Sequence, residues 1–379
     1  MVAILIIVFL GILSLLKPKS NAIFNLILIY MWIFYAFNTY SGDYISYEYV
    51  YSLIQDDLSW FGHFEPLFSL MMTLCIMFGL PFAGFQIILA TFYVIMVKKN
   101  IQYYTDYWAV TASMFMLFPF MWAASVLRAG VAGTIVIWGF KYLFAEEKNA
   151  VAKYVVWIIV ATMFHTSSIF FLVFIFARKN KTNSLFVTTC LAGAIVGVAY
   201  RLGVIYWIFS QFTSNYKVLQ WLNISQSTMS LKGIAAELIM LLCVIFVSSM
   251  AYKQYWYVNM DQTSPCANEK RMEFAQMVYR CNGLMLILIP LFMISDVWIR
   301  MLWEVFPLTI FATINLSGSL KESNQFRRIA GCASVPLVFG GLLVVEIMIV
   351  IYTNLPYIGT EIDTVMMFYN NSVFGLIPI

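Results

Sequence analysis

Residues 154–177 read YVVWIIVATMFHTSSIFFLVFIFA, a run of 24 residues without a charged side chain. About 20 apolar residues let a helix cross the hydrocarbon core of a bilayer, so this run is long enough. Its polar groups gather around His165, which is followed by Thr166, Ser167 and Ser168. The run indicates a membrane protein with a polar interruption at membrane depth.

The rest of the chain repeats this pattern. Of 379 residues, 62% are hydrophobic and 11% charged, whereas soluble domains carry about 25% charged residues. A segment that crosses lipid must be helical, because a helix satisfies its own backbone hydrogen bonds. Apolar runs that cross, or nearly cross, are 2–16, 22–37, 65–80, 84–97, 107–124, 128–145, 154–177, 184–209, 232–252, 274–295, 300–317 and 329–352. We predict an all-α polytopic membrane protein, one domain over 1–379 with about 10–12 transmembrane helices and re-entrant segments.

Lysines and arginines predict which connections face the cytoplasm. In the second half of the chain they alternate cleanly, and the polar stretches 38–64 and 210–231 become external loops that face the substrate. In the first half, simple alternation puts Lys98 and Lys99 outside and Arg128 inside. A second interpretation repairs this: 65–80 and 84–97 cross once as a bent element, and 154–177 is a re-entrant hairpin centred on His165. We favour the second interpretation, which puts Arg128 at the outer face.

The first external loop carries acids and aromatic residues but no lysine or arginine. Asp43 and Glu65 flank the membrane boundary, where a carboxylate can act as a base. A tyrosine-rich helical face in this loop is equally typical of an interfacial anchor. The candidate binding residues of this loop are Tyr44, Tyr47, Glu48 and Trp60.

We single out three arginines inside apolar segments, where a charge costs about 3 kcal/mol and needs a partner or a wet cavity. Arg128 and Arg201 have no acid nearby in sequence, which favours an anionic ligand such as a phosphate or diphosphate. Arg300 either binds such an anion or forms an ion pair with Asp296 or Glu304, which lie one turn away on either side.

His165 is either a packing residue or a base, and the sequence leaves both open. There is no HExxH, P-loop, GxSxG or Asp-x-Asp pattern, so no metal or cofactor is predicted. Six cysteines without CxxC spacing do not suggest a disulfide or metal framework. The net charge of +4 is spread thinly, which argues against a nucleic-acid partner.

Five stretches together resemble the EpsG/Wzy-type polysaccharide polymerases of bacterial envelopes. In order, they are GDYISYEYVYSLI (42–54), FEPLF (64–68), SVLRAGVAGTIVIWGFKYL (125–143), VVWIIVATMFHTSSIFFL (155–172) and IRMLWEVFPL (299–308). Each is weak alone, and their order carries the resemblance over roughly residues 40–310. The chain departs from the pattern at Gly130, where the family often has a longer polar residue.

The resemblance implies a GT-C-like glycosyltransferase of the bacterial inner membrane, with its site on the external face. It would transfer a growing glycan from undecaprenyl diphosphate to the non-reducing end of a lipid-linked repeat unit of O-antigen, lipopolysaccharide, capsule or exopolysaccharide. Its partners would be that lipid-linked oligosaccharide, membrane lipids, a chain-length regulator and a flippase. A flippase or other transporter, a membrane acyltransferase and a non-catalytic assembly subunit are the alternatives.

On this interpretation the reaction needs no metal, and the residues take three roles. Tyr44, Tyr47, Glu48 and Trp60 would contact the sugar. Arg128, Arg201 and Arg300 would hold the diphosphate. Asp43 or Glu65 would be the base, with His165 as the alternative.

Overall fold

The computed structural model describes residues 2–39, 43–178, 182–212, 231–259, 265–292 and 298–320. Within these ranges the chain forms helices and no strands, so the predicted all-α fold is confirmed. The α-helices are α1 Val2–Leu16, α2 Asn21–Ala36, α3 Tyr44–Asp56, α4 Pro66–Met77, α5 Phe82–Tyr104, α6 Trp108–Leu117, α7 Phe120–Ser125, α8 Leu127–Phe140, α9 Ala150–Thr162, α10 Thr182–Arg201, α11 Val204–Phe212, α12 Leu231–Asn259, α13 Pro265–Leu284, α14 Ile289–Phe292 and α15 Ile299–Leu320. The 3-10 helices are Leu58–His63, Lys141–Leu143, Thr166–Ala177 and Met285–Leu288.

Four of the described helical segments are long and apolar enough to cross a membrane: Phe82–Tyr104, Thr182–Arg201, Lys270–Phe292 and Ile299–Leu316. Shorter apolar helices account for most of the other predicted runs. The polytopic membrane class is therefore confirmed, while the number of crossings and the GT-C likeness stay predictions. The predicted span 329–352 lies outside the described residues, as does most of loop 210–231.

The described residues form two compact units, one up to Leu172 and one from Val173 onwards. The prediction of a single domain over 1–379 stays a prediction.

Several connections of the first unit meet at one end of it. The backbone N–H of Ala109, at the start of α6, donates to the carbonyl of Pro18 between α1 and α2 at 3.0 Å. The Tyr104 hydroxyl at the end of α5 donates to the Ile137 carbonyl near the end of α8 at 2.7 Å. We call this the lysine end, because its connections and helix termini carry Lys17, Lys19, Lys98, Lys99, Lys141, Lys148 and Lys153.

The other termini of these helices meet at the opposite end. The side-chain amide of Asn38, just after α2, donates to the Ala124 carbonyl of α7 at 3.1 Å, and Gln86 near the start of α5 donates to the Asn38 carbonyl at 2.8 Å. The Leu67 N–H at the start of α4 donates to the Met163 carbonyl just after α9 at 3.0 Å. We call this the acidic end, because α3 and its flanks place there Asp43, Glu48, Asp56, Asp57 and Glu65.

Two helix breaks that the sequence predicts in the first unit are present in the structure. Gly79 adopts a positive φ of 69°, which favours glycine, and it separates α4 from α5. The rings of Phe68 in α4 and Phe82 in α5 both contact tyrosines of α3, at 5.7 Å from Tyr47 and 5.6 Å from Tyr51. Both helices therefore begin at the acidic end, and α5 alone continues from there to the lysine end.

The second break separates α9 from the 3-10 helix Thr166–Ala177, and His165 lies in it. The Tyr154 hydroxyl donates to the Phe171 carbonyl at 2.6 Å, which joins the two arms. The Leu67 bond to Met163 places the turn of this hairpin at the acidic end, while the re-entrant interpretation of 154–177 stays a prediction.

The second unit packs α10, α12, α13 and α15 together. The Asn282 amide of α13 donates to Thr309 Oγ1 of α15 at 3.0 Å, and both residues are buried. Arg280 of α13 donates to Thr182 Oγ1 at 3.1 Å and to the Ala177 carbonyl at 3.2 Å. Buried polar groups in this unit are thus held by neighbouring helices.

Candidate functional site

Glu65 is the residue around which the site is built. It lies at the N-cap position of α4 in extended backbone, and Pro66 follows at the first helical position, where proline is favoured. Its side chain is only 11% exposed. A carboxylate in that position is expensive unless it is paired and hydrogen-bonded, and Glu65 has partners on both oxygens.

The first partner is Arg128, the second residue of α8. Its Nη1 donates to Glu65 Oε2 at 2.5 Å, and its Nε lies 3.5 Å from the Tyr47 hydroxyl. Its Cζ lies 4.5 Å from the centre of the Phe64 ring, within the range of a cation–π contact. The Arg128 side chain is still 25% exposed, so a ligand can reach it.

The turn between α9 and the following 3-10 helix supplies the other partners. The Thr166 N–H and hydroxyl donate to Glu65 Oε1 at 3.0 and 3.1 Å. His165 Nδ1 lies 3.5 Å from the same oxygen, at the long limit of a hydrogen bond. A carboxylate, a guanidinium and an imidazole from three separate segments therefore share one partly exposed site.

These contacts set the charge states of groups that lie outside the apolar helices. Burial alone would raise the pKa of Glu65, but hydrogen bonds from His165 and Thr166 and the charge of Arg128 outweigh it, so this pKa falls below its ordinary value. Burial raises the pKa of Tyr47, although Arg128 opposes the shift. Glu65 is thus an anion at neutral pH, and Tyr47 keeps its proton.

A row of aromatic rings leads from the exposed loop to Arg128. Trp60, 41% exposed, lies 5.9 Å from the His63 ring, which lies 5.2 Å from Phe64. Phe64 in turn contacts Tyr47 at 5.5 Å and covers Arg128. Of the predicted sugar residues, Trp60 lies at the exposed end of this row and Tyr47 at its other end, where it is buried. Both sugar roles stay predictions.

The other predicted residues of this loop lie nearby. The Tyr44 hydroxyl donates to Glu48 Oε1 at 3.2 Å, and burial, followed by Glu48, raises the pKa of Tyr44 to about 12. Asp43 is exposed and directly precedes α3, and its carboxylate makes no capping hydrogen bond. Their roles stay predictions.

The remaining predicted arginines belong to the second unit. Arg201 is the last residue of α10 and is exposed, a position where the helix dipole favours a cation without any ligand. Arg300 is the second residue of α15, is half-buried, and precedes the buried Glu304 by one turn. Both assignments to the diphosphate stay predictions. Within the described ranges, no three His, Cys, Asp or Glu side chains form a group that could hold a metal.

Sequence reasoning named Glu65, Arg128 and His165 but did not join them. Arg128 seemed to have no acid because Glu65 lies 63 residues earlier in the chain. Phe64 and Thr166 entered only as neighbours of predicted residues, although one covers the guanidinium and the other holds the carboxylate. No local signal in the sequence identifies these contacts, since they depend on how α4, α8 and α9 pack.

Comparison with known proteins adds one finding. The model of the EpsG family matches residues 21–359, which include every residue of the Arg128 site. No curated protein and no solved structure matches the chain.

Proposed function

The chain belongs to the EpsG family, and from this premise we propose that it transfers a growing glycan from undecaprenyl diphosphate to a lipid-linked repeat unit. The family itself implies a membrane glycosyltransferase of the polysaccharide polymerase type. The donor lipid, the acceptor end and the site residues are our proposal.

The observation that carries the proposal is the contact of Glu65 with both Arg128 and His165. When the glycan is transferred, an acceptor hydroxyl attacks the anomeric carbon, and the bond from that carbon to the diphosphate oxygen breaks. The electron pair leaves with the lipid diphosphate, and a guanidinium fixed in a sheltered site stabilises that charge. The hydroxyl proton passes to a base within hydrogen-bond reach. One small site offers both groups.

The distribution of lysines supports an external location for this site. Seven lysines occupy the lysine end of the first unit, whereas Glu65, Arg128 and His165 lie at the acidic end. Lysine-rich connections remain in the cytoplasm. On this basis the Arg128 site faces outward, where a polymerase that uses exported repeat units would need it. The same argument puts the lysine end on the cytoplasmic side of the inner membrane and the substrate at its outer face.

The test is the length distribution of the polysaccharide made in cells. Replacement of Arg128 by Ala, or of Arg300 by Ala, should leave the protein in the membrane but reduce the ladder of chain lengths to a single repeat unit. Asp56→Asn, an exposed acid at the same end, is the matched control and should keep the ladder. A normal ladder in both arginine variants would contradict the proposal.

One contact favours a second candidate, a membrane acyltransferase. That chemistry uses a histidine beside an acid, and His165 lies 3.5 Å from Glu65. Loss of an acyltransferase would leave the ladder intact and remove acyl groups from the glycan, so the same gel separates the two functions.

A further inference from the structure

Arg128 is already neutralised in the structure. Its Nη1 donates a hydrogen bond to Glu65 Oε2 at 2.5 Å, and Phe64 covers the face of the guanidinium at 4.5 Å from Cζ. A diphosphate that uses the same donors must compete with the Glu65 carboxylate. Both are anions that bind the planar guanidinium in the same manner.

Glu65 does not depend on Arg128 alone. Its other oxygen, Oε1, accepts from the Thr166 N–H and hydroxyl and lies 3.5 Å from His165 Nδ1. If Oε2 gave up Arg128, the carboxylate would still be held on the turn that carries His165. Its charge, no longer offset by the guanidinium, would then act on the imidazole.

We infer that Glu65 is a positioning residue that pairs with Arg128 in the free enzyme and releases it when the donor diphosphate binds. This inference rests on the proposed function and specifies the ligand of its site. After the exchange, Glu65 stabilises the imidazolium that forms when His165 takes the proton of the acceptor hydroxyl. The electron pair of the broken sugar–oxygen bond leaves with the diphosphate on Arg128. Donor binding thereby prepares the base.

The exchange makes a prediction that a purely structural ion pair does not. If Glu65 competes with the diphosphate, Glu65→Gln removes a competitor and tightens diphosphate binding by about tenfold, a difference of about 1.4 kcal/mol. The same change removes the charge behind His165, so glycan transfer falls by about a hundredfold or more. Affinity and turnover therefore move in opposite directions.

The experiment measures binding of geranylgeranyl diphosphate to the full chain in lipid nanodiscs by calorimetry. Glu65→Gln should bind it more tightly than wild type, Arg128→Gln should lose binding, and the control Asp56→Asn should match wild type. Transfer assays on the same preparations should show a lower KM for the lipid donor and a lower kcat in Glu65→Gln. Unchanged or weaker binding by Glu65→Gln would overturn the inference.

Two further results keep the outcome clear. Glu65→Asp retains the charge but shortens the side chain, so it should tighten diphosphate binding several-fold. If Glu65→Gln fails to fold, unchanged diphosphate binding by Glu65→Asp overturns the inference. If Arg128→Gln binds the diphosphate normally, the proposed donor site itself is wrong. If Arg128→Gln loses binding while Glu65→Gln gains none, only the exchange is wrong.

Discussion

We propose that His165, rather than Asp43 or Glu65, is the base of the site. It lies on the turn between two helical arms, its Nδ1 faces the Glu65 carboxylate at 3.5 Å, and its side chain is about one-quarter exposed. A carboxylate behind one ring nitrogen orients the imidazole, while the other nitrogen can serve a substrate. Glu65 itself is the weaker candidate, because hydrogen bonds and Arg128 lower its pKa and with it its basicity.

Replacement of His165 by Gln should lower the rate of chain extension about 10²- to 10⁴-fold, the usual contribution of a general base. The rate is measured in membranes supplied with lipid-linked repeat units. Thr162→Val serves as the control, because the Thr162 hydroxyl bonds only to the Ile158 carbonyl of its own helix at 2.8 Å. A His165→Gln rate within a few-fold of wild type would assign the proton to Asp43 or to water.

At the scale of residues, the sequence predicted which residue types matter. A charged group or a histidine in an apolar segment costs free energy unless it has a partner or a function. It could not predict their pairing. Arg128 and Glu65 are linked through the packing of α8 against the start of α4, and such a contact leaves no pattern in either segment. The same holds for Thr166, because nothing in its local sequence indicates that its hydroxyl bonds to Glu65.

Helix α8 reaches the site only because α7 lies unusually close to it. A Cβ added to Gly130 would lie 2.8 Å from both the Cβ and the carbonyl oxygen of Ala123. Neither of these atoms can rotate away. The short glycine at this position, where the family pattern often has a longer residue, thus fixes the position of Arg128 two residues earlier.

Gly130→Ala should therefore push α7 and α8 apart and disturb Arg128. We expect a loss of about 1–3 kcal/mol of stability from overpacking, which exceeds the gain of about 1 kcal/mol in helix propensity, and a shortened polysaccharide ladder. Gly11→Ala is the control, since a Cβ there meets nothing within 4 Å and should be neutral or stabilising. Thermal unfolding in detergent measures both; equal melting temperatures for Gly130→Ala and wild type would contradict the close approach.

Helix breaks were the elements that sequence predicted best. Gly79-Leu80-Pro81 combines a glycine at positive φ with a proline that lacks a backbone N–H. The turn at His165 carries Thr166, whose N–H and hydroxyl bond to Glu65 rather than within a helix. Sequence could not decide how many helices join the two ends of the first unit, because α4, with 12 residues, is as apolar as a crossing helix. Its contacts with α3 through Phe68 show that it begins at the acidic end.

At the scale of the whole molecule, charge separates the two ends of the first unit. Simple alternation of apolar runs put Lys98 and Lys99 on the opposite side from Lys17 and Lys19. The structure brings these lysines to one end, because α5 alone continues past the break at Gly79. Helix packing therefore resolves an ambiguity that hydropathy and charge could not, and it leaves a single orientation consistent with the positive-inside rule.

That orientation is testable by cysteine labelling in spheroplasts. Ser59→Cys places a thiol on the exposed 3-10 helix at the acidic end, and Lys148→Cys places one on the exposed α8–α9 connection at the lysine end. A membrane-impermeant maleimide should label the first in intact spheroplasts and the second only after detergent permeabilisation, each measured above the signal of the native cysteines. The reverse result would put the lysine end outside the cell, against the positive-inside rule, and Arg128 inside it. The site would then meet lipid-linked units before their export, and a role in polymerisation at the outer face would fail even if Arg128 binds a diphosphate.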